Sequence, residues 1–436
     1  MAYGQPYWWE GAKPLPKLSS LPSSADILII GAGYTGLTAA ITAATAGAEV
    51  TVVDAEYPGF GASSRNGGMC GPHPRLSLSA MSKQFDEKTA RALFNESGIA
   101  FDYFQGLIRS LKIDCDYQKT GRIQLAWTKK DFEAQKAMAA EMLAHTDYAV
   151  EVLERDAVDK HIKTDRYFGA LFYENHGALN PKKLIDGLLS VALKMGVKIV
   201  PNMPIRRLQK SVIGHIAEGP LGTIRANKVL LATNGYTKGQ GHFQWLSARV
   251  FPLPSYIIAT EKLPRKLLAE LAPGKRTMVE TRARHSYFRL SPDGTRIVWG
   301  GRAAIRQINP EQAIARLTDT LEEIWPSLKG VKITHAWKGN TGYSFGNAPN
   351  IGRRDGVHYA AGYCGGGVVL APYLGMKAAY QMLGDERGTT AYADTKLQSK
   401  PYHIGGRPWF LEPADRWYNW VVDGVQNVRA AKDRAS

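Results

Sequence analysis

The sequence predicts an α/β protein: a domain built on a parallel βαβ unit, interleaved along the chain with an α+β domain whose sheet is mainly antiparallel. Three observations predict it. A strand, glycine turn, helix and strand follow one another from Asp26 to Asp54. Paired helix and strand segments return at 181–200 and 357–383, and strand-like runs separated by turn residues fill 248–302. At 436 residues the chain exceeds one average domain.

The first unit reads ADILIIGAGYTGLTAAITAATAGAEVTVVD from Ala25. Ile27 to Ile30 form a short apolar run suited to a buried parallel strand. Gly31 permits a tight turn, Gly33 lets backbone approach a pyrophosphate, and Gly36 lets helix pack on strand. The helix expected directly after these glycines turns free N–H groups and a positive dipole toward phosphates, with Tyr34 and Thr35 among the expected cofactor contacts. A second run, Val50 to Val53, ends in Asp54, which can accept from a ribose hydroxyl pair, with Ala55 beside it. These parts in this order predict a Rossmann-like dinucleotide site. They leave open which dinucleotide it binds.

After Asp54 the chain enters a Gly/Ser/Asn loop, Gly59 to Pro74, in place of the helical crossover usual in NAD domains. Its G-A-S-x-R-N-G-G pattern stands as Gly61-Ala62-Ser63-Ser64-Arg65-Asn66-Gly67-Gly68. At this point the sequence resembles the D-amino-acid oxidase-like family of FAD-dependent amine oxidoreductases, nearest to its γ-glutamylputrescine oxidase branch, which also begins with a Tyr-Trp pair like Tyr7-Trp8. The resemblance implies a glutathione reductase-like βαβ unit and FAD as cofactor. It extends to Gly177, Pro181, Lys183 and Leu184, to the turn Thr233-Asn234-Gly235 after an apolar strand, and to the C-terminal GRPWFLEPADRWYNWVVD.

A final glycine turn, Gly362-Tyr363-Cys364-Gly365-Gly366-Gly367, precedes a helix from Val368. N–H groups at such a helix start would face the flavin edge that gains negative charge on reduction. The family's turn has Ser and His where Cys364 and Gly366 stand, so any role of that histidine has no holder here. Sarcosine oxidase relatives place a carboxylate-binding lysine just after this turn, where this chain has Val368-Val369, so sarcosine is disfavoured as substrate. Their oxygen-activating lysine is missing from Arg296 to Gly301, which leaves Arg302 or Lys338, or a different electron acceptor. Their flavin-linking cysteine is missing from Asn340 to Ala348, so FAD is expected to be held noncovalently.

Composition bounds the rest. Lys and Arg number 55 against 39 Asp and Glu, but the basic residues are scattered, which argues against nucleic acid. Three unpatterned cysteines and no signal-like N-terminus predict a reducing, cytoplasmic setting without disulfides. The Ala-rich stretch from Ile27 to Ala48 is broken by glycines and is not a membrane span. Cys70 and His73 lack a second ligand pair, so no metal is expected.

The expected domains are 1–89, 176–239 and 336–436 for FAD, and 90–175 with 240–335 for substrate. The chemistry implied is hydride transfer from the carbon bearing nitrogen, then imine hydrolysis and reoxidation by O2. Arg65, Tyr287 and Trp337 are the candidate catalytic residues; Arg282, Arg284 and His285 are candidate carboxylate contacts. Rival readings are a dehydrogenase with a quinone or protein acceptor, a noncatalytic flavoprotein serving assembly, and an NAD-dependent dehydrogenase. The particular amine and the oligomeric state stay open.

Overall fold

The computed structural model describes residues 2–12, 14–74, 76–146, 148–403 and 408–435. Five parallel strands lie in the spatial order Lys198–Val200, Val50–Val53, Ser24–Ile30, Gly222–Leu231, Val357–Ala361. Numbered along the chain that order is 3-2-1-4-5, the doubly wound arrangement with a crevice at the C-terminal ends of the strands. The apolar runs are continuous because both faces are covered. Ile27, Ile29 and Val52 face the helices Tyr34–Thr45, Pro181–Lys194, Gly367–Leu383 and Glu87–Ser110, whereas Leu28, Ile30 and Val53 face Met203, Phe243 and Leu246. The N-terminal half of Gly222–Leu231 extends into an antiparallel hairpin with His215–Gly219 and Arg207–Lys210.

Among the described residues a second, nine-stranded sheet runs Ala2–Tyr3, Ile333–Ser344, Val250–Thr260, Ile297–Gly301, Ser286–Leu290, Thr277–Glu280, Arg122–Leu125, Gly169–Tyr173, Val150–Glu154. It is antiparallel except at two junctions. Strand alternation sends Ile258, Phe288 and Trp299 to a core under the helix Pro310–Ile324. Trp337, Ile257, Gly300 and Tyr287 form a cross-strand row on the opposite face. That face meets the nucleotide-binding body.

The expected helix Lys129–His145 is present with a capping box from Thr128 and Asp131. The expected domain edges differ from the sheets at three places. Residue 336 lies inside the strand Ile333–Ser344, and Ala2–Tyr3 pairs with that strand in the nine-stranded sheet. The helix Glu87–Ser110, expected with the substrate domain, buries Phe94, Phe101 and Phe104 in the nucleotide-side core. At the other end of the chain, Ala430 is buried in the core of the substrate body. Edge pairing and helix docking are non-local, so chain order alone misplaces these segments.

Candidate active site

The expected phosphate end is built from backbone. Gly31 has φ +112°, and a Cβ there would lie 2.8 Å from the Ala232 carbonyl oxygen. A Cβ on Gly36 would lie 1.9 Å from the Gly31 oxygen. Helix Tyr34–Thr45 therefore starts directly against the turn. Its first-turn N–H groups have no partner within the helix; the Tyr34 N–H donates to Ser63 Oγ at 3.0 Å. Asp54 accepts from the Ala32 and Glu56 N–H groups at 2.7 and 3.0 Å. Burial raises its carboxyl above the usual value, partly offset by those two bonds. A carboxylate offers about four lone-pair directions, so capacity for ribose hydroxyls is left. Tyr34 itself is buried with its hydroxyl on the Pro181 carbonyl, and Thr35 Oγ1 meets Tyr363 Oη at 2.7 Å, joining the first helix start to the final turn.

The loop from Gly59 to Gly68 is held by its own polar side chains and by the N-terminal arm. Asn66 donates to the Ala62 and Ser63 carbonyls and accepts from the Gly68 N–H. The Trp8 and Trp9 indoles donate to the Asn66 carbonyl and to Ser64 Oγ. Gly61 lies against the Tyr236 ring and Gly67 against the Tyr287 ring, at 3.1 and 3.0 Å from where a Cβ would stand. Arg289, buried, donates to the Gly68 and Leu179 carbonyls.

Two expected catalytic residues take different places. The Arg65 guanidinium donates to the carbonyls of Phe60, Gly4 and Lys338 and lies 4.6 Å from the Trp9 ring centre and 5.0 Å from that of Phe60. It clamps the loop. Trp337 is only 1% exposed, donates to the Arg65 carbonyl at 2.9 Å and packs edge-on to Trp8. A side chain so enclosed supports the loop from beneath and offers no wall to a substrate.

At the other end, Asn234, with φ 44°, accepts from the Gly362 N–H at 2.9 Å, and Gly235 abuts Gly342. Thr233 Oγ1 meets Thr237 Oγ1. Gly365 and Gly366 are exposed, so the start of helix Gly367–Leu383 is open, with Val368 buried behind it. Facing this turn stands a polar cluster. Arg302 Nη2 donates to Tyr343 Oη at 2.6 Å, and Tyr287 Oη meets Ser255 Oγ at 2.8 Å. Gly300 makes room for it, since a Cβ there would lie 2.3 Å from the Tyr287 ring. Burial pushes the Tyr287 phenol up to about 12, so it stays neutral near pH 7.

The structure separates the other candidates. Arg282 is bound by Glu280 and Glu323 over the Trp127 ring, and Arg284 by Asp423, so neither is a carboxylate contact. The His285 ring lies 6.5 Å from that of Tyr287. Lys338 Nζ reaches Gln307 Oε1 on an exposed side, which leaves Arg302 as the better-placed cation. Cys70 is buried and its thiol pushed up to about 12 by burial, while His73 stacks on His176. Among the described residues no three side chains form a metal-binding group, and no helix is long and apolar enough to cross a membrane. Sequence reasoning missed Ser255, Tyr343, Tyr236 and Arg289. Strand alternation in VFPLPSYIIAT and ITHAWKGNTGYS carries the faces of Ser255 and Tyr343, but only once their register is known.

FAD fits these residues. Bare backbone at Gly33, a carboxylate at Asp54 and an open helix start at Gly365 and Gly366 suit its phosphates, ribose and flavin edge, in that order. The chain matches the family described as "DAO: FAD dependent oxidoreductase" over residues 26–381. It is 30% identical to the probable oxidoreductase OrdL of Rhizobium meliloti, covering 94% of this chain and 96% of that one. It is 28% identical to the gamma-glutamylputrescine oxidoreductase of Escherichia coli, covering 88% and 89% respectively. The fold superposes on glycine oxidase from Geobacillus kaustophilus with a TM-score of 0.71 at 19% identity, over 86% of this chain and 99% of that one. The glycine turn, the loop that follows Asp54 and the family match agree: this chain belongs to the DAO family of FAD-dependent oxidoreductases.

Proposed function

We propose that the protein oxidises the carbon–nitrogen bond of a primary or secondary amine that also bears a carboxylate, a γ-glutamylated amine being the leading substrate class. The carrying observation is the cluster of Arg302, Tyr343, Tyr287 and Ser255, set on one sheet face between Gly67 and Gly365. The name of the 28% identical gamma-glutamylputrescine oxidoreductase supports this class.

Bound FAD supplies the hydride acceptor, and O2 the final oxidant, giving an imine that water hydrolyses and H2O2. The protein's own part is orientation and charge. Arg302 offers a fixed positive charge for a carboxylate, and that charge together with desolvation by the aromatic rings disfavours the ammonium form, so the amine binds with its lone pair free. Tyr287 and Ser255 are neutral hydrogen-bond partners and add no charge that would restore the ammonium. First-turn N–H groups of helix Gly367–Leu383 stabilise negative charge where it develops. No cysteine lies between Asn340 and Ala348, so FAD is held noncovalently; a yellow pellet after acid precipitation would contradict this.

A dehydrogenase is the second reading. Strand Ile297–Gly301 carries no lysine, and Arg296 turns away to the Thr260 carbonyl and Thr334. The test is anaerobic titration of the flavin band with γ-glutamyl amines, amino acids and N-methylamino acids, followed by air. Bleaching by a carboxylate-bearing amine, with peroxide on admitting air, is the expected result. Bleaching without peroxide would select the dehydrogenase, and no bleaching by any amine would overturn the proposal.

A further inference from the structure

The last described segment, Leu411–Trp417 continuing through Tyr418–Val422 into Asp423–Ala435, is a helical rod on the outside of the substrate body. Its inner face is fully engaged. Asp415, 1% exposed, binds Arg306 and the Ile305 N–H; Asp423 binds Arg284; Asp433 accepts from the Lys129 N–H. Gln426 bridges the Ala283 N–H and Asp131, and Ala430 is wholly buried.

The outer face is apolar. Trp417, Trp420, Val421, Val425 and Val428 are exposed, Trp420 by 83%. Separated by three, one, four and three residues, they fall along one side of the rod. Large apolar side chains exposed singly need no explanation, but a stripe of five on one helix does. Charge on the rod is sorted as well. Arg416, Arg429 and Lys432 are exposed beside the stripe, whereas three of the segment's four acids before and within the last helix turn inward; Glu412 is the exposed one, beside Arg416.

We propose that this face docks on the surface of an anionic lipid bilayer, lying in the interface without spanning it. An exposed helix carrying tryptophans and valines with a basic margin is the form that lies at the headgroup level. The chain's net charge of +16 gives the long-range attraction that such a surface requires. A second copy docking by this same face would set the basic margin of Arg416, Arg429 and Lys432 against its own counterpart, and like charges would oppose the pairing. The rod also grips the loops at 281–286 and 302–306 through Asp423, Gln426 and Asp415, so the docked face is mechanically continuous with the loops that carry Arg302 and flank Tyr287.

Flotation of the flavin-loaded protein with vesicles tests this, using phosphatidylglycerol–phosphatidylethanolamine against neutral phosphatidylcholine at about 0.1 M salt. Anionic vesicles are expected to carry the protein up, and higher salt to release it. Trp417→Ser with Trp420→Ser, and separately Arg429→Glu with Lys432→Glu, should each reduce binding by about tenfold or more with an unaltered flavin spectrum. Because these side chains are exposed, folding of the variants is not at issue. Absence of flotation, equal flotation with neutral vesicles, or undiminished binding by the tryptophan variant would overturn the proposal. So would a concentration-dependent dimer, without lipid binding, that the tryptophan variant dissociates.

Discussion

Replacing Gly36 with Ala puts the contact between the first helix and the glycine turn to a direct test. The added Cβ would lie 1.9 Å from the Gly31 carbonyl oxygen and 3.2 Å from Ile29 Cγ2. Neither neighbour is a flexible side-chain end, since one is turn backbone and the other a strand residue in the core. Helix and turn must therefore part by about 1 Å to reach a tolerable contact in a close-packed interior. Inserting one carbon into such a site costs about 1–3 kcal/mol. That strain falls on the two elements expected to frame the pyrophosphate, so FAD affinity should drop by about 5- to 150-fold. Global stability of about 5–15 kcal/mol leaves the apoprotein folded. The assay is titration of apoprotein with FAD by flavin fluorescence, alongside thermal unfolding with and without FAD. The same change at Gly106, where a Cβ meets nothing within 4 Å inside helix Glu87–Ser110, is the control. An unchanged Kd and an unchanged FAD-induced rise in Tm for Gly36→Ala would refute the account of the phosphate end.

Other side chains give independent checks. Arg65→Ala should weaken FAD binding by tenfold or more, since hydrogen bonds from a charged group contribute about 1.5–3 kcal/mol, and Arg65→Lys should not restore a clamp that needs the planar fork. Lost flavin reduction with intact FAD affinity would instead return Arg65 to the reacting centre. Tyr287→Phe should lower the rate of flavin reduction without altering its pH profile below about pH 10, because burial pushes the phenol up to about 12; disappearance of a limb near neutrality would contradict this. For Asp54, FAD affinity should rise as pH climbs through its raised pKa, and Asp54→Asn should flatten that rise in a titration series. The stability sign is opposite: the folded apoprotein holds this proton more tightly than the unfolded chain, so the contribution is full below 3.8 and is lost as pH rises through the raised value. Calorimetry of apoprotein across that window measures it.

The expected phosphate end was readable along the chain as one contiguous pattern. Gly31, Gly33, Gly36 and Asp54 lie within one βαβ unit, and their roles depend on local backbone geometry that the turn, helix start and strand end enforce wherever the unit occurs. The loop Gly61–Gly68 was legible for the same reason, as a contiguous pattern. What stands over it depends on strands far apart in the chain. Ser255, Tyr287, Arg302 and Tyr343 come from four separated stretches, and they share a face because of strand register, with Tyr287 opposite Gly300 and Ser255 opposite Gly339. A shift of one residue would send each to the other face. That is why Arg65 and Trp337, adjacent in motif to the cofactor loop, look catalytic in the chain yet fold into its clamp. Arg302 emerges beside Tyr343 only once strand Val250–Thr260 has paired with both Ile297–Gly301 and Ile333–Ser344.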